Sequence, residues 1–182
     1  MIRFGLSLLS VCWIAGVVVA GPALEVVQAQ LPAPELEARG LLSLQGDVQR
    51  SLQYHIAARA AWLREDAAGA LALWKQAAEA DPANAAAWLG VARAATALEQ
   101  TELAFAGWRF RHELVPNDLQ AKGAIGESLA GTGNFELAAA FLLAGRAADV
   151  EDRVRWRREM RLFSLLHAMD QKAAAQEVGV AL

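Results

Sequence analysis

Between Tyr54 and Pro116 the chain runs twice through one order of aromatic, small and proline positions. Tyr54, Ala57, Ala58, Ala61, Ala70, Trp74, Ala77 and Pro82 are followed, each 34 residues on, by Trp88, Val91, Ala92, Ala95, Ala104, Trp108, Arg111 and Pro116. A third pass keeps Ile125, Gly126, Leu129, Ala138 and Leu142 in the matching slots. Three copies are thereby marked out, Ser51–Asn84, Ala85–Asp118 and Leu119–Asp152. Each reads as two helices. In the first copy a helix runs to about Arg64, and Asp66, a good N-cap, opens an alanine-rich amphipathic run. The second copy is broken around Glu99 to Thr101, and the third at Gly131-Thr132-Gly133-Asn134. Asp81-Pro82 and Val115-Pro116-Asn117-Asp118 close the first two copies, because proline cannot continue a helix. Asn84 and Asp118 are placed to cap the helices that open the next copies.

A fourth unit departs from the period. Trp156 and Phe163 fall on the first aromatic slot and the slot of Ala61, but Lys172 and Gln176 then occupy positions that need small and apolar residues. Two extra residues before Asp170 bring Ala174, Val178 and Ala181 into place, predicting helices from about Glu151 to Met169 and from Asp170 to Val180. Residues 153–182 are thus an irregular helical pair that closes the array.

A 34-residue period with an aromatic, a small pair, a second aromatic and a closing proline resembles the tetratricopeptide repeat. The resemblance covers residues 51–152 well and the rest loosely. It implies an all-α, right-handed solenoid of antiparallel helix pairs. It also implies a role in binding a protein or peptide partner along the concave groove lined by the first helix of each pair. Projecting the period onto that face gives the column Arg59, Arg93, Glu127 and Arg161, with His55 and Trp62 beside Arg59. These six residues are the expected partner site. Arginines there would hold carboxylates through paired N–H groups, with Trp62 as an apolar wall. The competing expectation is a solvated face whose arginines pair with nearby acids. The lysines and asparagines with which some members grip a chaperone C-terminus are not matched here.

The beginning of the chain has a different character. Arg3 precedes an apolar run from Phe4 to Ala20, and Val27-Gln28-Ala29 supplies small residues before Gln30, so residues 1–29 read as an export signal. A cut after Ala20 fits nearly as well. An uncleaved anchor is the alternative, since about seventeen apolar residues approach the length of a bilayer span. The protein is accordingly expected outside the cytoplasm, in a periplasm or similar space. Pro32 and Pro34 make a short extended linker. Glu35–Leu44, with Leu36, Leu41, Leu42 and Leu44, is a candidate cap for the end of the solenoid within a linker and capping segment of residues 30–50.

Charge and chemistry narrow the function. The 17 basic and 20 acidic side chains give a net charge of −3, which excludes the broad positive field of a nucleic-acid binder. The sole cysteine, Cys12, lies in the apolar N-terminal run, so the repeats have no thiol for a disulfide, a zinc site or a covalent intermediate. His55, His112 and His167 show no metal-ligand spacing. No nucleophile elbow, phosphate loop or dinucleotide fingerprint occurs. Neither an enzyme nor a cofactor is expected. Arg153, Arg155, Arg157, Arg158 and Arg161 surround Trp156, but Asp149, Glu151, Asp152 and Glu159 lie among them, which favours a salt-bridged exposed face over an anionic-lipid surface. The second functional expectation is a fixed subunit of an envelope assembly that docks through its terminal helices.

Overall fold

A computed structural model describes residues 46–148 and 150–180. The apolar N-terminal run, the proline linker, Glu35–Leu44 and Asp149 lie outside the described residues. Within them the chain forms eight helices. These are α1 (Val48–Leu63), α2 (Ala67–Ala80), α3 (Ala85–Ala97), α4 (Thr101–Leu114), α5 (Leu119–Gly131), α6 (Phe135–Ala144), α7 (Asp152–Ala168) and α8 (Lys172–Val180). They fold back on one another as consecutive pairs, and the pairs stack as an α-solenoid.

Local sequence explains where the helices start. Carboxylate or amide side chains accept from otherwise orphaned N–H groups at four N-termini. Asp47 accepts from Arg50 at 2.9 Å, Asp66 from Gly69 at 2.8 Å and Asp118 from Ala121 at 3.0 Å. Asn84 accepts from both Ala86 and Ala87 at 3.1 Å. The cap at Asp47 starts α1 ahead of the repeat boundary at Ser51.

The turns inside the pairs obey the same period. Glu65 (φ 63°), Glu99 (φ 57°) and Gly133 (φ 82°) are left-handed and stand 34 residues apart. After Glu65 and Glu99 the next N–H reaches back to the helix, Asp66 to the Ala61 carbonyl at 3.1 Å and Gln100 to Ala95 at 2.9 Å. This is the Schellman closure, which normally selects glycine at its left-handed residue. In the fourth pair that residue is Asp170 (φ 58°). The offset at the turn is therefore three residues, not two, and Ala175 is buried where the sequence pattern points to Ala174. Val178 is buried as expected.

Packing rests on side chains that are nearly absent. Ala58 and Ala92 are fully inaccessible, and Gly126 takes the same slot in the third copy. A Cβ on Gly107 would come 2.9 Å from the Ala92 nitrogen, and one on Gly126 would come 2.8 Å from the Leu142 nitrogen. In both places two helix backbones touch. Between repeats the gap is filled by large rings: a Cβ on Gly90 of α3 would lie 2.3 Å from the indole of Trp74 on α2. Trp108 is buried in one apolar cluster with Ala92, Ala121, Ala124 and Ile125. Ser51, fully buried, donates to the Ala77 carbonyl at 2.8 Å and accepts from the Asn84 amide at 2.8 Å, tying α1, α2 and the start of α3 together.

Trp108→Ala should lower stability by about 3–5 kcal/mol, because a large buried ring is lost without room for collapse. Glu99→Gly should act in the opposite direction, gaining about 1 kcal/mol by relieving a left-handed non-glycine residue. Paired thermal melts read both signs, and a Trp108→Ala protein that melts with the parent contradicts the packing described.

Candidate functional site

α1 places His55, Arg59 and Trp62 on one side of a helix, at spacings of four and three residues. Trp74 of α2 backs this group. Its ring centroid lies 5.8 Å from Trp62 and 6.4 Å from His55, tilted at 54° and 55°. Trp62 keeps 36% of its surface, and Arg59 is exposed. The His55 Nδ1 and the Trp74 Nε1 are buried without a hydrogen-bond partner among the described residues. A depression of about 310 Å³ adjoins this cluster, lined by Trp62, Glu65 and Ala67.

Further along the array the expected column is engaged in bonds between repeats. Arg93 of α3 donates from Nη2 to the Gln120 Oε1 on α5 at 2.9 Å. This bond spans the place where the first helices part, since α3 and α5 have no Cα atoms within 8 Å of each other whereas α1 meets α3 and α5 meets α7. Glu127 of α5 accepts from the Arg157 Nε at 2.7 Å and from the Arg158 Nε at 3.0 Å, both on α7. Arg158 is buried, and its guanidinium lies so close to Gly123 that a Cβ there would meet Nη1 at 2.3 Å. Arg161, one turn beyond Arg157, is exposed and has no ion pair among the described residues. His55, Arg59 and Trp62 thus form one group, while Arg93 and Glu127 each bind to a following repeat.

The sequence pattern does not single out Gln120, and it places Arg157 and Arg158 in the basic cluster around Trp156 without pairing them to Glu127. The available signal is a Glu in the column position of one repeat with Arg four slots earlier in the next. The basic cluster on α7 is mixed in sign, as expected. Arg155 pairs with Asp152 at 3.2 Å, and Glu159, buried, pairs with Arg146 of the preceding loop at 2.8 Å. Trp156 keeps 59% of its surface.

The charges are distributed unevenly. The first helices of the four pairs carry Arg50, Arg59, Arg93, Lys122 and the arginines of α7 against Glu127, Asp152 and Glu159. The second helices are balanced or slightly acidic. A chain of net charge −3 therefore presents a basic row along one layer of its helices. Among the described residues no group of three or more His, Cys, Asp or Glu side chains is arranged to hold a metal ion, and no helix is long and apolar enough to cross a membrane.

Comparison with solved structures identifies the architecture. The first TPR domain of Spaghetti (RPAP3), solved with the HSP90 peptide SRMEEVD, superposes with a TM-score of 0.56 at 15% identity, covering 70% of this chain and 98% of that one. The crystal structure of MamA gives 0.59 at 17% identity, over 71% and 69%. The Sgt2 TPR domain from Aspergillus fumigatus gives 0.50 at 19% identity, over 68% and 82%. The chain has the tetratricopeptide-repeat fold. No family model matches the sequence, and no curated protein matches it. In tetratricopeptide terms the basic row lies on the first helices, and Trp74 and Trp108 are the rings that separate successive repeats.

Two histidines sit in this framework with their pKa values lowered. Burial is the main cause for both, aided by Arg59 at His55 and by Lys122 at His112, where Asp118 opposes it. The His112 and Phe141 rings also stand nearly perpendicular, with their centroids 5.6 Å apart. Below the ordinary histidine value, near 6.5, the unfolded chain binds more protons than the folded one, so the contribution of the neutral histidines is complete above that pH and is lost as pH falls from it through the lowered folded values. Asp118, drawn below its ordinary value by the Ala121 N–H and Arg111 against the effect of burial, loses its contribution only in the more acid range. His112→Leu should flatten the fall in melting temperature between about pH 7 and pH 5. An unchanged slope would show that His112 is not the group being charged.

Proposed function

We propose that this protein is a peptide-binding scaffold whose first-helix face takes an acidic segment of a protein partner. The observation that carries the reading is the basic row itself. Glu127 is its central carboxylate and is already held by Arg157 and Arg158, which leaves Arg59 and Arg161 exposed with no acidic partner among the described residues. Arg93 is committed only to a neutral amide. Exposed guanidinium groups beside an exposed indole suit a segment that alternates carboxylates with apolar side chains. The similar structure solved with the peptide SRMEEVD, which itself contains adjacent carboxylates, supports the reading. The fold supports it too, because stacked helix pairs offer an extended surface and no catalytic machinery is visible in the sequence.

We further propose that the protein works outside the cytoplasm, exported or tethered by the Phe4–Ala20 run. Arg3 and the length of that run support this. A reporter enzyme active only after export, fused behind residue 45, should be active in the cells that make the protein; an inactive fusion retained in the cytosol contradicts the placement.

Binding should be strongest at low salt, because much of the attraction lies between exposed charges. Arg59→Glu together with Arg93→Glu should weaken capture of a fluorescent peptide of alternating aspartate and leucine by at least about tenfold, equivalent to about 1.4 kcal/mol. Anisotropy titrations measure this directly. Equal affinity in parent and variant removes the row from the binding site.

A further inference from the structure

One acid interrupts the column of arginines, and its bonds differ from those of a solvated carboxylate. Glu127 keeps 22% of its side-chain surface, and its two oxygens are divided between two guanidinium groups of the next repeat. Oε1 accepts from the Arg157 Nε at 2.7 Å and Oε2 from the Arg158 Nε at 3.0 Å. Bonds of this kind are what an arginine row offers to the carboxylates of another chain. The two arginines have unequal roles. Arg158 is buried, and its guanidinium fits because Gly123 has no Cβ to meet Nη1. Arg157 keeps 60% of its side-chain surface and bonds through Nε alone among the described residues. It is a cation of the open first-helix layer that an internal carboxylate already occupies.

The placement of the first helices gives that carboxylate its effect. α1 meets α3 and α5 meets α7, while α3 and α5 stand apart. The leading half presents Arg59 and Arg93, the latter bound only to the neutral amide of Gln120. In the trailing half Glu127 of α5 comes before Arg157 and Arg161 of α7. Packed helices lie about 8–10 Å apart, so an extended ligand at about 3.3 Å per residue passes from Arg59 to Arg93 within about three residues. Going on to α5, the same ligand brings its next carboxylate towards a carboxylate. Like charges repel at that range, and Arg157 is already engaged.

We propose that Glu127 is a built-in stand-in for a partner carboxylate, occupying Arg157 and confining an acidic ligand to α1 and α3. This rests on the acidic-segment reading above and narrows its ligand class to a short segment that sets its carboxylates on Arg59 and Arg93, against a long acidic tract. Glu127 thereby determines how much of an acidic chain the row accepts.

Anisotropy titrations with fluorescent peptides of alternating aspartate and leucine, six and fourteen residues long, test this; extended, they reach about 20 Å and about 46 Å. Glu127→Gln keeps an oxygen for the Arg158 Nε and removes the charge. It should raise affinity for the longer peptide by at least about threefold and leave the shorter within about twofold of the parent. Adding Arg157→Gln should cancel the gain, and Glu136→Gln, at an exposed acid on the second helix α6, should produce none. Equal affinity of Glu127→Gln and parent for the longer peptide, a gain that survives Arg157→Gln, or one that Glu136→Gln matches would overturn the proposal. If Glu127→Gln does not fold, the parent decides. Its Arg157 Nε–H resonance should stay in place while the longer peptide saturates Arg59, and a shift in step with Arg59 would overturn the proposal as well. Loss of six-residue binding in Arg59→Glu with Arg93→Glu, beside no gain from Glu127→Gln, would sink this proposal and spare the acidic-segment reading; no loss would sink both.

Discussion

Close approach of helix backbones, repeated every 34 residues, is the constraint on which the rest of the structure depends. Two helices can touch at Ala92 and Gly107, or at Gly126 and Leu142, only because no side chain stands between them. Once the backbones are that near, the space left between successive pairs has a fixed depth. An indole fills it at Trp74 and again at Trp108. The direction of the first helices is set by this stacking, and with it the row of arginines that faces outward. The outward surface of the first helices is thus set by residues that contribute almost no side chain of their own.

The fold is legible because its determinants are local and periodic. Small slots, aromatic slots, caps and closing prolines each have one physical job, and they recur in step. The fourth pair is harder to read. Its turn is closed by Asp170 in a left-handed conformation, a state that Glu65 and Glu99 also adopt in earlier repeats. Such residues carry no glycine signature, so the sequence points to an offset of two residues where the turn has three. The start of α1 is obscured for a similar reason, since the Asp47 cap adds a turn to which no other copy has a counterpart.

The site is legible only in part. The period alone places Arg59, Arg93, Glu127 and Arg161 in one column, and helix spacing puts His55 and Trp62 beside the first of them. What the period does not encode is how far one first helix stands from the next. α3 and α5 separate while α5 and α7 close, and this difference decides that Arg93 reaches only Gln120 whereas Glu127 receives two arginines. Long charged side chains choose partners by distances of a few ångströms set by the global curve of the solenoid. The sequence shows the charges but not the spacing. Its consequence is electrostatic: pairing Glu127 within the fold leaves the first-helix layer basic, in a protein that is acidic as a whole.

The most direct test of that account is to follow the arginine Nε–H and tryptophan indole resonances by NMR while an acidic peptide is added. The account expects Arg59, Arg93 and Trp62 to shift together and to saturate at one peptide concentration, with Trp108, buried between repeats, unmoved. Shifts confined to α8 or to the second helices, with Arg59 and Arg93 silent, would contradict it and move recognition to the end of the array.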